Sequence, residues 1–231
     1  MNSILNYLIE LLYLLPAAVI AIVLHELAHS LVSYAFGDPT PKNEGRLTLN
    51  PLKHIDPIGF LLLIVARVGW AKPVMIDPRY YKKPKLAIAI VSLAGPLMNI
   101  ILALIFSLIY VILYKVGFEN SFIAIIGQFS LICIYLNIGL ALFNLIPIPP
   151  LDGSKILGAF LPDKIYIKYM SYQKYGMIFM LIIFLVITIL DHLGYPSLIN
   201  YIVNHIAYAF LDLWAMIILW KKKRKLLLLL H

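Results

Sequence analysis

Long apolar segments separated by short polar stretches dominate the pattern of this sequence. An α-helix rises about 1.5 Å per residue, so roughly 20 consecutive apolar residues cross the ~30 Å hydrocarbon core of a bilayer. The pattern therefore predicts an all-α, polytopic membrane protein with about five transmembrane helices. The predicted spans are Ile4–Phe36, Lys85–Tyr114, Ser121–Phe143, Tyr175–Leu190 and Ser197–Trp220.

The loop between the first two predicted spans is unusually apolar. Its middle, Ile58–Val74, is too short to span a bilayer and is interrupted by Gly59, Gly69 and Pro73. We therefore predict a re-entrant or interfacial segment here, with a β-hairpin through Ala66–Ile76. Non-helical backbone at membrane depth is tolerated only where protein or a water-filled cavity satisfies its polar groups.

The composition agrees with a lipid environment and excludes an ordinary soluble globule. Hydrophobic residues make up 62% of the chain and charged residues 13%, and the mean hydropathy is +0.92. A soluble domain is nearer half apolar and about a quarter charged. The single cysteine, Cys133, excludes an internal disulfide framework.

The formal net charge is +8, and the basic residues are unevenly distributed. All of them except Lys115 follow the first, third or fifth predicted span. Because cytoplasmic loops carry an excess of lysine and arginine, we predict a plasma-membrane protein with its N-terminus outside and its C-terminus in the cytoplasm. The charge is thus attributed to the membrane, and nucleic acid is not an expected partner. We predict one membrane-embedded domain (1–231), with a core at 4–153 and accessory C-terminal spans at 154–231.

The first predicted span contains the sequence His25-Glu26-Leu27-Ala28-His29. Residues four apart lie on one face of a helix, so the two imidazoles can bind one zinc ion. Glu26 lies beside them and can accept a proton from zinc-bound water. An ionisable residue in a membrane helix costs about 2.5 kcal/mol or more, and such residues usually mark function. The motif therefore predicts a catalytic zinc site rather than a polar patch that packs against another helix.

A hydrolytic zinc site needs a third protein ligand and an open position for water. Because the histidines lie in the later, cytoplasmic part of the first span, candidates on the opposite side of the membrane are excluded. Among the remaining candidates Asp152 stands out, since three prolines between positions 147 and 150 end the preceding helix. Gly153 then permits a tight turn. An alternative stays open, in which Asp152 caps a helix over Ser154–Phe160.

Three motifs that occur in order along the chain together resemble the site-2 protease family of intramembrane metalloproteases. They are the HExxH motif, Ala-Gly-Pro-Leu-Met-Asn at 94–99, and Asn-x-x-Pro-x-Pro-x-x-Asp-Gly at 144–153. The loop stretches at 50–59 and 69–74 also resemble bacterial members. The resemblance is to compact members, because the chain has no room for the PDZ insertion or the CBS domain that others carry.

The resemblance implies a role for each matching residue. His25, His29 and Asp152 would hold one Zn²⁺ ion per chain, and Glu26 would be the catalytic acid and base. Asn144 matches an asparagine that helps to hold the substrate or the developing oxyanion.

Two further sets of residues are secondary candidates. His54 is expected to border the site, although a lone loop histidine is more often solvated. Asn99 belongs to the second motif, and a role in helix packing stays open as its alternative. A transmembrane substrate must unwind before its peptide bonds can be attacked, so we predict that Val74 and Ile76 offer it a strand edge.

The predicted function is an intramembrane zinc metalloendopeptidase that cleaves in or near a transmembrane segment of a membrane protein. Regulated intramembrane proteolysis and the clearance of signal-peptide remnants both fit, with a transmembrane or signal-peptide helix and the lipid bilayer as partners and the active site towards the cytoplasm. The alternatives are a metal-binding membrane transporter and a non-catalytic homologue that binds membrane proteins. Glu26 favours the protease, because a transport site has no evident need of a carboxylate that is not a ligand.

Overall fold

The architecture is a bundle of long helices with short helices in its connections. A computed structural model describes residues 3–66, 69–176 and 198–228, together with positions 178, 182, 183, 185, 186 and 189. The long helices are α1 (Ser3–Ala35), α4 (Pro84–Val116), α5 (Ser121–Asn144) and α8 (Leu198–Leu228). The short ones are α2 (Thr40–Asn43), α3 (Pro57–Ala66), α6 (Asp152–Gly158) and α7 (Asp163–Ser171), with 3₁₀ turns at Pro51–Lys53, Pro78–Tyr80 and Tyr172–Tyr175.

Four of the described helices are long and apolar enough to cross a membrane, so this is a multi-pass membrane protein. The four spans are Leu5–Ala35, Pro84–Val116, Ser121–Asn144 and Leu198–Ile218. They correspond to the first, second, third and fifth predicted spans, and the all-helical class is confirmed for the described residues. The predicted fourth span, Tyr175–Leu190, lies largely outside the described residues and stays a prediction.

The core of the bundle lies where α4, α5 and α8 meet. Ala103 and Ala207 are fully buried there, beside Ile134, Ile138 and Val203. Small residues let helix backbones approach closely, and close packing is what associates helices in lipid. Because α1 packs against both α4 and α5, the helix that carries the HExxH motif is held by this rigid part of the molecule.

The described residues between α1 and α4 do not form the predicted β-hairpin. The apolar part of this segment is helix α3, whose start is capped by Asp56: the carboxylate accepts the backbone N–H groups of Ile58 at 3.0 Å and Gly59 at 2.8 Å. Among the described residues, the one β-type pairing is an isolated bridge between Ile55 and Ala71. The hairpin predicted through Ala66–Ile76 was wrong for the described residues, because two of their carbonyls are taken by the Arg46 side chain rather than by a facing strand.

Residues 69–77 of the connection that follows α3 lie outside any helix but are held in two places. The guanidinium of Arg46, which is 3% exposed, donates to the carbonyls of Lys72 at 3.1 Å and Pro73 at 3.0 Å. The buried carboxylate of Asp38 accepts the backbone N–H of Asp77 at 2.8 Å. These side chains satisfy backbone groups that secondary structure leaves unpaired, so the connection follows a fixed path without being a strand.

Replacing Arg46 with methionine should loosen this connection, because the carbonyls of Lys53, Lys72 and Pro73 all lose a buried donor. Each buried group left unsatisfied costs about 1–3 kcal/mol. We expect a lower unfolding temperature and faster proteolytic cleavage between α3 and α4 in the detergent-solubilised protein. The control, Lys53→Met, removes an exposed charge from the same loop and should change neither measurement. Equal behaviour of the two variants would contradict the assignment.

Candidate metal centre

Three buried side chains from α1 and the start of α6 converge on one point. His25 and His29 are 7% and 8% exposed, and Asp152 is 6% exposed. One ligand atom from each lies within 4.8 Å of the others, and no second group of this kind occurs in the part of the chain that the structure describes. The structure thus brings together the three residues that the sequence predicts as metal ligands.

The distances within this group suit zinc. The Nε2 atoms of His25 and His29 are 3.0 Å apart, and Oδ2 of Asp152 lies 3.2 Å from the first and 3.1 Å from the second. A tetrahedral zinc ion with bonds of about 2.0–2.1 Å separates its ligand atoms by about 3.3 Å, so the three atoms match one face of its coordination shell.

The histidine nitrogens that face away from this group are held by α4. His29 Nδ1 donates to the backbone carbonyl of Val91 at 2.7 Å, and His25 Nδ1 pairs with Oδ1 of Asn99 at 2.5 Å. Because a carbonyl only accepts, the His29 proton lies on Nδ1 and the Nε2 lone pair faces Asp152. Partners of this kind fix the tautomer and orientation of a metal-binding ring. Asn99 therefore contacts a predicted ligand directly, beyond any part it plays in helix packing.

Gly95 of α4 lies directly against both histidine rings. A Cβ atom at this position would be 2.4 Å from His29 Nε2 and 2.5 Å from His25 Nε2. A side chain here would therefore clash with both nitrogens and displace the two rings. The glycine in the 94–99 motif leaves room for an ion at the centre.

The turn between α5 and α6 presents Asp152 to the histidines. Asn144 is the last residue of α5, and the chain then folds back on the helix end so tightly that a Cβ on Gly153 would be 2.2 Å from the Leu145 carbonyl oxygen. Asp152 is the first residue of α6, whose N-cap is Leu151 without a side-chain capping bond. The alternative in which Asp152 caps this helix is therefore wrong.

Glu26 lies next to the centre, and Asn144 ends the helix that leads into the turn carrying Asp152. Glu26 adjoins His25 on α1 and is 8% exposed. Asn144 uses one amide hydrogen to bond the Leu140 carbonyl at 3.0 Å, which leaves its second hydrogen for another acceptor. Their predicted roles in catalysis stay predictions.

The other predicted residues lie in the connection between α1 and α4. His54 is fully buried, and its Nε2 donates to the Thr48 carbonyl at 2.8 Å. None of its hydrogen bonds within the described residues reaches the centre. The bonds that it makes there hold the connection between α1 and α4 in place. Ile76 packs against the apolar cluster that includes Val91, and Val74 is partly buried nearby in sequence.

Asn137 is a site residue that the sequence analysis missed. It is fully buried in α5, and its Oδ1 accepts a hydrogen bond from Nδ2 of Asn99 at 2.8 Å. The available signal was the free-energy cost of a polar amide in an otherwise apolar span. No spacing rule connects this position to the HExxH motif.

An apolar cavity of about 790 Å³ opens beside the centre, between α1, α3, α5 and α8. Its wall includes Ile22, one turn before Glu26, and Leu140, one turn before Asn144. Trp70, from the connection after α3, also lines it. Apolar cavities of roughly 300–1,000 Å³ with a few polar groups at one end are typical of ligand sites.

Comparison with known proteins places this geometry in a family. The chain matches the model of Peptidase family M50 over residues 13–130 and 118–190. The protein named "Putative zinc metalloprotease YwhC" of Bacillus subtilis is 44% identical over 187 residues, which cover 80% of this chain and 85% of that protein.

Two more distant relatives carry the same description. Rip2 of Mycolicibacterium smegmatis is 29% identical over 201 residues, covering 80% of this chain and 70% of its own length. MJ0611 of Methanocaldococcus jannaschii is 32% identical over 136 residues, covering 58% of this chain and 63% of its own length. No solved structure matches the chain.

Gly95→Ala should abolish or strongly weaken zinc binding, because its methyl group would come within 2.5 Å of both Nε2 atoms and force the rings apart. The measurement is the zinc dissociation constant of the purified protein in competition with a chromogenic chelator. Gly139→Ala is the matched control, since a Cβ at that helical glycine meets no atom within 4 Å. Unchanged zinc affinity in Gly95→Ala would show that the ion binds elsewhere.

Proposed function

The chain belongs to peptidase family M50, the site-2 protease family of zinc metalloproteases, and from this premise we propose that it cleaves a peptide bond in or near a transmembrane segment of a membrane protein. The family predicted from the sequence motifs is thereby confirmed. The observation that carries the proposal is the buried triangle of His25, His29 and Asp152, with Glu26 beside it.

In this proposal, His25, His29 and Asp152 hold one zinc ion per chain. When bound there, zinc would act as a Lewis acid that lowers the pKa of a coordinated water towards about 7 and polarises the scissile carbonyl. The Asp152 carboxylate brings one negative charge to the ion, and the two histidines bind it as neutral rings. This donor set resembles the three-ligand sites of other zinc hydrolases, which leave a fourth position for water.

Glu26 performs the proton transfers. As the water oxygen bonds to the scissile carbonyl carbon, the Glu26 carboxylate takes the water proton. It then delivers that proton to the amide nitrogen as the carbon–nitrogen bond breaks, so the amine leaves neutral. Its position next to His25 and its burial favour this role, because a carboxylate that is screened from bulk water retains the proton for the second transfer.

Asn144 is proposed to stabilise the substrate carbonyl. One of its amide hydrogens is committed to the Leu140 carbonyl, which fixes the side chain at the end of α5. The other hydrogen can bond the carbonyl oxygen of the substrate as negative charge develops on it. The same turn delivers Asp152, so a single backbone segment would hold both a metal ligand and an oxyanion donor.

The apolar cavity and the connection after α3 together suit a membrane-embedded substrate. The wall formed by Ile22, Leu140 and Trp70 would accept apolar side chains. An unwound substrate exposes its backbone amides, and the non-helical segment through Val74 and Ile76 can pair with them as an added strand. Ile76 is partly buried and packs against the apolar cluster that includes Val91 of α4, which supports a defined edge on its other side.

The remaining proposals concern cellular context. We place the protein in the plasma membrane with its N-terminus outside, its C-terminus in the cytoplasm and the zinc site towards the cytoplasm, from the distribution of basic residues. Membrane-tethered regulators and signal-peptide remnants are the substrate classes. The chain would act as one domain (1–231), with the core at 4–153 carrying the chemistry.

Glu26→Gln should lower the cleavage rate by about 10²–10⁴-fold or more while zinc affinity stays within a few fold, because the residue moves protons without binding the ion. Cleavage is measured with single-span reporter proteins co-reconstituted in proteoliposomes, and zinc binding by chelator competition. Glu119→Gln, in an exposed loop, is the control and should keep full activity. A Glu26→Gln protein that still cleaves would remove the proposed mechanism.

Val74→Pro should reduce cleavage of the same reporter by about 5–10-fold, since proline deletes an N–H donor worth about 1 kcal/mol in strand pairing. Met75→Pro is the matched control, because the intervening residue directs its N–H to the opposite side of an extended segment. Both variants are first compared by unfolding temperature to establish that they fold. Equal losses in the two variants would exclude pairing through Val74 and Ile76.

A further inference from the structure

A chain of three buried hydrogen bonds runs from the metal centre across two helices. His25 Nδ1 pairs with Oδ1 of Asn99 on α4 at 2.5 Å. Nδ2 of Asn99 donates to Oδ1 of Asn137 on α5 at 2.8 Å, and Nδ2 of Asn137 donates to the Cys133 backbone carbonyl at 2.8 Å. Both asparagines are fully buried, so water cannot replace any of these partners.

The direction of this chain is set at its far end. The Cys133 carbonyl can only accept, so the amide nitrogen of Asn137 must face it. The Asn137 oxygen then faces Asn99, so the amide nitrogen of Asn99 must be the donor of this hydrogen bond. The Asn99 oxygen is therefore turned towards His25, and it can only accept.

This direction determines which nitrogen of His25 carries the proton. An accepting oxygen opposite Nδ1 requires the proton on Nδ1, and this leaves the lone pair of Nε2 facing His29 and Asp152. A reversed Asn99 amide would instead present N–H groups to Nδ1 and favour the proton on Nε2, where it would exclude a metal ion. The tautomer of His25 thus depends on a backbone carbonyl three hydrogen bonds away.

We propose that Asn137 is a positioning residue of the metal centre, which acts through Asn99 to hold His25 in its metal-binding tautomer. The inference rests on the proposed role of His25 as a zinc ligand. It assigns to α5 a second contribution to the centre, besides the turn that carries Asp152. His29 does not need such a chain, because its Nδ1 bonds a carbonyl directly.

A purely structural role is the competing explanation, since two paired asparagines also join α4 to α5. The two roles differ in what they change. Loss of a helix-packing contact lowers the unfolding temperature but leaves the zinc affinity of the folded protein alone. Loss of a positioning residue lowers zinc affinity, typically by 10–100-fold for an outer partner of a metal ligand.

The test is a double-mutant cycle on the zinc dissociation constant of the full-length protein in detergent. Asn99→Ala and Asn137→Ala should each weaken zinc binding by about 10–100-fold. If Asn137 acts through Asn99, the double variant should bind zinc no more weakly than Asn99→Ala alone. Asn137→Leu, which has the same number and branching of side-chain heavy atoms but is apolar, provides the same comparison should the alanine variant fail to fold.

Two control variants isolate the amide. Ser130→Ala removes a buried side-chain bond within α5, from Ser130 Oγ to the Ile126 carbonyl at 2.8 Å, and should leave zinc affinity unchanged. Cys133→Ala changes the side chain at the far end of this series of hydrogen bonds but keeps the backbone carbonyl, and it should also leave zinc affinity unchanged.

Each other outcome overturns a specific statement. Unchanged zinc affinity in Asn137→Ala, with a lowered unfolding temperature, would show that Asn137 only packs α4 against α5. Additive losses in the double variant would mean that it does not act through Asn99. Unchanged affinity in His25→Ala would overturn this inference and the proposed zinc site together. If the zinc affinities of the variants are as expected but the wild-type protein cleaves no substrate, the proposed function is wrong and this inference still holds.

Discussion

The arrangement of the centre depends on how closely α1 can approach α4 at the level of its two histidines. Gly95 has no side chain, and both Nε2 atoms lie within 2.5 Å of the position that its Cβ would take. At this separation the outer nitrogens of the rings reach Val91 and Asn99 on the same face of α4. One helix contact therefore sets the space for an ion and the orientation of two of its ligands.

The third ligand reaches this point from another direction, and its depth is set by the bundle core. The packing of α4 on α5 through Ala103, Ile134 and Ile138 fixes where α5 ends. Gly153 then lets the chain turn back against the helix end, so that Asp152 meets the histidines. The geometry of the polar centre thus depends on the packing of the apolar core, because a shift of α5 along α4 would move the Asp152 carboxylate away from the histidines.

The parts of the site that were predictable from the sequence are those encoded by local spacing. His25 and His29 share a helix face by their separation alone, and Asp152 stands where a proline-rich turn ends a span. The β-hairpin was wrong because short apolar segments carry no reliable signal of what will satisfy their backbone, and here the distant Arg46 side chain takes the Lys72 and Pro73 carbonyls. Asn137 was not predictable, because its contact with Asn99 joins helices that the sequence does not align.

Because polar groups are buried in an apolar bundle, the metal centre and the connection after α3 are both held by hydrogen bonds from buried side chains. The centre is supported by carbonyls and amides that accept or donate in one direction only, and Arg46 and Asp38 hold the connection after α3 in the same way. In a medium that offers no competing water, a satisfied polar group has few alternative partners and becomes a fixed point of the structure.

The metal centre lies between an apolar environment and a polar one. On one side lies the apolar cavity that reaches Ile22 and Leu140. On the other lies the turn into α6, where Lys155 approaches the Asp152 carboxylate at 3.5 Å and is itself partly exposed. In the proposed function, a membrane-embedded substrate enters from the first side and water from the second. The hydrolytic groups are therefore located where an apolar substrate and a polar reactant can meet without either crossing the other's environment.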